Sequence, residues 1–139
     1  MSRFVLDVSY AMTWVVEAER TPAGLKHFDS LKRREIQALV PSLWCDEMAN
    51  VLLTVERVGK ISKEQTANWV IFFQALPLEI FPANLAQSLT EIRPLAQDHG
   101  LTAYDASYLY LAMLAQVPLA TMDRQLIKVA PKVGVKLVS

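Results

Sequence analysis

The sequence predicts an α/β fold built on a parallel sheet covered by helices. Three observations carry this. Short apolar runs alternate with longer stretches of helical periodicity. The runs are contiguous, as in strands buried on both faces. Two of them end on an aspartate that leads directly into a helical pattern. Arg3 to Leu6 is the first expected strand, with Phe4, Val5 and Leu6 in a row, and Val8 to Glu17 the helix after it, with Asp7 at the junction. Thr21 or Pro22 opens a second helix to about Glu35, since threonine caps a first turn and proline fits inside it. Gln37 to Val40 is a short strand ended by Pro41.

From Ser42 a helix carries Trp44, Met48, Val51, Leu52 and Val55 at helical spacing and stops at Gly59. Ser62 caps its partner, which runs to about Ala75 and completes a helical hairpin. Leu78 to Phe81 is a third strand between prolines. Asn84 to His99 is a helix in which Arg93-Pro94 predicts a kink or break, and Gly100 terminates it. A strongly apolar helix from Thr102 to Ala115 follows, then a strand from Pro118 to Thr121 and a helix from Asp123 to about Ala130. Val135 to Val138 is expected to close the sheet.

The 139 residues (15.6 kDa, 53% apolar and 20% charged) fit one domain spanning 1–139. Lys and Arg balance Asp and Glu at fourteen each, so no overall positive field gathers nucleic acid or anionic membrane, and any polyanion site must be local. The single Cys45 excludes an intrachain disulfide and a cysteine-based zinc cluster. With no leader-like pattern at Met1 and no apolar run near the roughly 20 residues of a bilayer span, a cytoplasmic protein is expected.

Four acidic residues stand in apolar surroundings or at strand ends: Asp7 in FVLD, Glu47 in WCDEMANVLL, Asp105 in LTAYDASYLYLA and Asp123 in PLATMD. Asp7 and Asp123 could each be a helix N-cap, and Asp105 stands three residues after Thr102, a capping-box spacing. Glu47 resists such an explanation, because it shares its helix face with inward-packing Trp44 and Val51, and a buried carboxylate without a partner is costly. In an open parallel sheet the ligand crevice lies beyond the carboxyl ends of the strands, where all four acids can be delivered. Four like charges in one crevice call for a divalent cation, and oxygen-only ligands point to Mg²⁺ or Mn²⁺. Such a site suits phosphodiester hydrolysis by water, with no side-chain nucleophile.

The blocks FVLDVSYAMTWV, VPSLWCDEMANVLLTVERVGKIS, GLTAYDASYLYLA and PLATMDRQLIKVA, in this order, resemble the PIN domain, most closely the VapC toxins of type II toxin–antitoxin pairs. The resemblance covers nearly the whole chain. It implies a three-layer fold with a parallel sheet of about five strands in order 3-2-1-4-5, and an Mg²⁺- or Mn²⁺-dependent ribonuclease acting through metal-activated water. It assigns metal binding to Asp7, Glu47, Asp105 and Asp123, the first three as the direct ligands and Asp123 through water or at a second position. In this reading Ser9 and Thr121 are hydroxyl helpers, with backbone capping the plainer alternative, and Asn50 is either a hydrogen-bond partner for Glu47 or an ordinary helix-surface amide. The same acids would equally serve a PIN-type nuclease in RNA processing or DNA flap cleavage, and a catalytically silent PIN scaffold for protein binding is a further alternative. FVLDVSY lacks the second aspartate of a haloacid-dehalogenase nucleophile strand, which sets that class aside.

The implied partners are RNA, a cognate antitoxin and a second copy of the chain in a homodimer. Basic residues occur in small sets, Lys32 to Arg34, Arg57 with Lys60 and Lys63, and Arg124 with Lys128 and Lys132. Most read as solvated faces; Arg124 and Lys128 are the ones expected to guide RNA, since they follow Asp123. His27 and His99 have no metal-spaced partner and are expected as surface or capping residues, so histidine acid–base chemistry is not expected. Trp14, Val15, Val16, Trp69, Phe72 and Phe73 are expected mainly in the core, with any exposed excess available to the antitoxin or the second copy.

Overall fold

The computed structural model describes residues 2–138. Four strands, β1 (Ser2–Leu6), β2 (Ile36–Pro41), β3 (Leu78–Phe81) and β4 (Leu119–Ala120), pair in parallel in the order β3-β2-β1-β4. The contiguous apolar runs occupy the middle of this sheet: Val5, Leu6, Ala38, Leu39, Val40 and Leu119 are all 0% exposed. Only strands sandwiched between helices can bury successive residues in this way, because their side chains alternate between the two faces.

Between β1 and β2 run α1 (Val8–Val15) and α2 (Pro22–Lys32); between β2 and β3, α3 (Leu43–Arg57) and α4 (Lys63–Ala75). Right-handed crossovers place these four helices on one face. The return to β4 passes through α5 (Leu85–Gln87), a π turn (Ser88–Ile92), α6 (Arg93–His99) and α7 (Ala103–Ala115), and α7 packs across β1, β2 and β4. α8 (Arg124–Val129) follows the last strand. Strand order therefore reverses between β1 and β4, which makes their carboxyl ends the switch point of the sheet. No helix among the described residues is long and apolar enough to cross a membrane.

Two expectations about the elements need correction, and the expected irregularity before Pro94 takes a specific form. Instead of a fifth strand over Val135–Val138, the chain makes one parallel bridge between Leu119 and Leu137, carried by Leu119 N–H to Lys136 O (2.9 Å) and Val138 N–H to Leu119 O (2.9 Å). β4 is only two residues long, and the Val135 N–H is taken by Ala130 O in the turn at left-handed Gly134, so the ladder does not extend back to Val135. The first helix ends at Val15 rather than Glu17, where Arg20 Nε bonds the Trp14 carbonyl (2.9 Å) and a 3-10 turn over Glu17–Glu19 takes over. The Asn84–His99 segment is helical throughout but changes winding. Pro94 has no N–H for the carbonyl four residues back, and the π turn immediately before α6 absorbs that mismatch.

Most aromatic residues of the helices pack inward, fully or in part, with Tyr104 on α7 the exception at 68% exposed. Trp14 is 1% exposed and donates through Nε1 to Gly24 O (2.9 Å), and Phe28, Trp69, Phe72 and Phe73 form an aromatic cluster beside it in which edge-to-face pairs predominate. The apolar excess on the surface lies elsewhere, at Ile71, Val58, Leu85, Leu89 and Leu114. His27 is neither a cap nor freely exposed: Tyr10 Oη and His27 Nδ1 share a hydrogen bond of 2.6 Å, and the imidazole lies against Phe4. Burial and the neighbouring Lys26 hold its pKa below the usual histidine value.

Candidate metal and nucleic-acid site

All four acids line one cleft of about 930 Å³ at the carboxyl ends of β1 and β4. β1 runs directly into Asp7, whose N–H is bonded to Ala120 O (3.0 Å), so the junction of the two central strands fixes its backbone. β4 runs into Thr121 and then Asp123, which is the N-cap of α8. Glu47 comes from the first turns of α3 and Asp105 from the first turn of α7. Asp46, beside Glu47, is exposed, as helical spacing requires.

Asp7 is 6% exposed, yet its side chain caps nothing. Its Oδ2 accepts hydrogen bonds from Ser9 Oγ (2.6 Å) and Thr121 Oγ1 (2.7 Å). Each hydroxyl also accepts from a backbone amide: Ser9 Oγ from Met122 N–H (3.0 Å), Thr121 Oγ1 from Asp123 N–H (3.0 Å). A hydroxyl that accepts from an amide is oriented to donate, so the segment after β4 sets both donors on the Asp7 carboxylate. The capping explanation thus fails for Asp7 and holds for Asp123, whose Oδ1 accepts from Leu126 N–H (3.0 Å). At Asp105 the cap is Thr102, whose Oγ1 accepts from Asp105 N–H (3.1 Å).

Glu47 is half-buried, and its Oε1 accepts from the hydroxyl of Tyr108 on α7. Of the two readings of Asn50 the structure favours the helix-surface amide: it is exposed and makes no side-chain bond to Glu47. Sequence reasoning missed Tyr108. The available signal was its place three residues after Asp105, on the same side of one helix.

The carboxylates feel one another. Burial raises the Asp7 pKa and the charge of Asp123 adds to it, against the two hydroxyl bonds. Burial also raises Glu47, with further contributions from Asp7 and Asp105, and raises Asp105, with contributions from Asp123 and Asp7. Burial, and then the bond to and charge of Glu47, push the Tyr108 hydroxyl far up, so it remains a donor. No cation neutralises the set: the ion pairs among the described residues are Arg3–Glu79 and Arg33–Asp29, and neither includes one of these acids.

Carboxylate and hydroxyl oxygens with unbalanced negative charge are the donors a hard divalent cation takes, so these residues fit Mg²⁺ or Mn²⁺. Among the described residues no three His, Cys, Asp or Glu side chains stand ready-grouped around one point, so an ion held here would draw the carboxylates together. The rest of the cleft is mixed. Met12, Val16, Val51 and Val55 form apolar walls, and Lys60 and Arg124 are the basic residues lining it, with Glu19 opposing them. Arg124 stands where expected. Lys128 does not line the cleft, and Lys60 does; the left-handed turn at Gly59 and the bond from Lys60 N–H to Val55 O (2.9 Å) bring it there.

No family model matches the chain. It is 30% identical to Ribonuclease VapC3 of Pyrobaculum aerophilum over 133 residues, 93% of this chain and 95% of that protein. The chain belongs to the VapC family of PIN-domain proteins. Exonuclease VapC9 of the same organism is 32% identical over 117 residues, covering 82% of this chain and 83% of that one. Among solved structures, PAE2754 from P. aerophilum superposes with a TM-score of 0.70 at 24% identity, over 99% of this chain and 84% of that one. VapBC2 from Rickettsia felis, bound to a DNA fragment from its promoter, gives 0.66 at 16% identity over 97% and 96%. Both structures share the VapC fold described above.

Proposed function

We propose that this VapC-family chain is a divalent-metal-dependent endoribonuclease and the toxin of a type II toxin–antitoxin pair. The observation that carries the proposal is Asp7: a buried carboxylate at the switch point of the sheet, held by two hydroxyls, facing three further acids and paired with no cation. An acid so placed weakens the fold unless a cation compensates it.

Asp7, Glu47 and Asp105 would hold Mg²⁺ or Mn²⁺, with Asp123 binding through water or at a second position. The ion would supply activation of the attacking water and charge neutralisation at the scissile phosphate. The chain's own residues do the rest. Ser9 and Thr121 fix Asp7 through Oδ2. Lys60 and Arg124, which line the same cleft as the acids, would meet phosphates, and the apolar walls keep the carboxylates partly out of water. In-line attack by water leaves a 5′-phosphate and a 3′-hydroxyl.

The relatives' names support nuclease chemistry and differ on its mode, since one is a ribonuclease and the other an exonuclease. The cleft also suits an antitoxin segment with a basic side chain for the acids and apolar ones for Met12, Val16 and Val51. A VapBC complex of the same fold supports that partner. A homodimer completes the proposal, through the exposed Leu114, Leu85 and Leu89 rather than through the buried Trp14 and Phe73. The reduced cytoplasm is the compartment that fits the free Cys45.

Cutting of circular RNA tests the mode, because a circle offers no end. With Mn²⁺ the purified chain is expected to open circular and linear substrates, and EDTA to stop both. Cutting of linear RNA alone would favour an exonuclease. A folded protein that cuts neither RNA nor flap DNA, with or without its antitoxin removed, would favour a binding scaffold.

A further inference from the structure

We propose that Tyr108 is a positioning residue for Glu47: from α7 it holds one oxygen of the carboxylate that α3 delivers, and leaves the other oxygen to the ion. The inference rests on the metal-dependent nuclease proposed above and deepens it.

Tyr108 is 1% exposed, with its ring in the core and its hydroxyl on Glu47 Oε1, 61 residues away in sequence. The bond is the polar tie between the two helices that carry Glu47 and Asp105, and it sits one turn from Asp105 itself. The neighbouring acids repeat the pattern. Asp7 is held through Oδ2 by two hydroxyls, and Asp123 through Oδ1 by an amide. In each of these three carboxylates one oxygen is held by a side-chain or backbone donor of the scaffold. This arrangement allows one-oxygen coordination of a cation with the carboxylate plane already set.

Glu47 needs the tie most. Its side chain has one more rotatable bond than aspartate, it is only half-buried, and Asn50 on its own helix does not reach it. A rigid, buried phenol is a suitable anchor because its hydroxyl has a fixed place once the ring is packed.

The test uses the full-length chain and calorimetric titration with Mn²⁺, alongside RNA cleavage at graded Mn²⁺. Tyr108→Phe keeps the ring and removes only the hydroxyl. It is expected to bind Mn²⁺ about tenfold more weakly, as loss of an outer partner of a metal ligand does. Cleavage should be restored as Mn²⁺ is raised, with little change in KM for RNA. A purely packing role would lower the melting temperature and leave Mn²⁺ affinity unmoved, which would overturn the proposal. Should the Phe variant melt too low to titrate, Tyr108→Phe is compared in a Glu47→Gln background by melting with and without Mn²⁺. An equal loss of the Mn²⁺-induced shift in both backgrounds would show that Tyr108 does not act through Glu47, and would overturn it too. Wild type that binds no Mn²⁺ would remove the metal reading and, with it, this inference; wild type that binds while Tyr108→Phe binds within twofold would remove the inference alone.

Discussion

Replacing Asp7 by Asn should make the metal-free protein more stable while ending its activity. The carboxylate is 6% exposed, takes two hydroxyl bonds on Oδ2 and faces other acids, with no cation among its partners. An Asn oxygen can accept the same two hydroxyls, though as neutral bonds each about 1 kcal/mol weaker than bonds to a charge. Against that loss stands the removal of a buried, uncompensated charge, whose effective penalty is several kcal/mol. A net gain of about 1–2 kcal/mol results. At about 2.1 cal/mol/K per residue, the 139-residue chain has an unfolding entropy near 290 cal/mol/K, so Tm should rise by about 3–7 °C.

The effect depends on pH in a defined direction. Burial raises the folded-state pKa of Asp7 above its ordinary 3.8. A raised acid favours folding fully below its unfolded pKa, and that contribution is lost as pH rises through the folded pKa. Wild type should therefore gain on the Asn variant as pH is lowered from 7 toward the ordinary aspartate range, and the gap in Tm should narrow. Thermal melts by circular dichroism in EDTA at pH 7 and pH 5 measure both quantities, and millimolar Mn²⁺ at pH 7 should raise Tm for wild type alone. An Asn variant that melts below wild type at pH 7 in EDTA would refute the reasoning, because the Asp7 charge would then be stabilising without an ion.

Ser9→Ala and Thr121→Val each strip one donor from Asp7 Oδ2; each should cost about 1.5–3 kcal/mol in denaturant unfolding, as loss of a bond to a charged group does, and lower kcat more than it raises KM. Lys60→Ala with Arg124→Ala should raise KM for RNA and flatten its salt dependence by about two phosphate contacts, with unchanged melting temperature, as steady-state kinetics at several salt concentrations will show. Trp14→Ala removes a fully packed ring and its bond to Gly24 O; a loss of about 3–5 kcal/mol is expected in chemical denaturation.

The sheet was largely legible because its strands announce themselves by contiguous burial. Phe4-Val5-Leu6 and Ala38-Leu39-Val40 can satisfy that pattern only between two helical layers. Glu47 was legible for a related reason, since it sits where an unpartnered charge is costly, and Asp7 because it ends an apolar strand at the carboxyl edge of the sheet. What escaped depends on pairings that no local pattern encodes. Tyr108 looks like any core aromatic until α3 is set beside α7, and the missing fifth strand turns on an amide that the preceding turn consumes. Asp7 and Asp123 have similar sequence settings, a strand before and a helix after. The structure separates them only because Ser9 and Thr121 reach Asp7 first.

The central claim is that the acids around Asp7 cut RNA with a divalent ion. Its most direct test is cleavage of labelled RNA by wild type and Asp7→Asn, in matched Mn²⁺ and EDTA reactions, with both proteins shown to be folded. The account expects cutting by wild type in Mn²⁺ only, and none by the folded variant. Equal cutting by the two proteins, or cutting that survives EDTA, would contradict it.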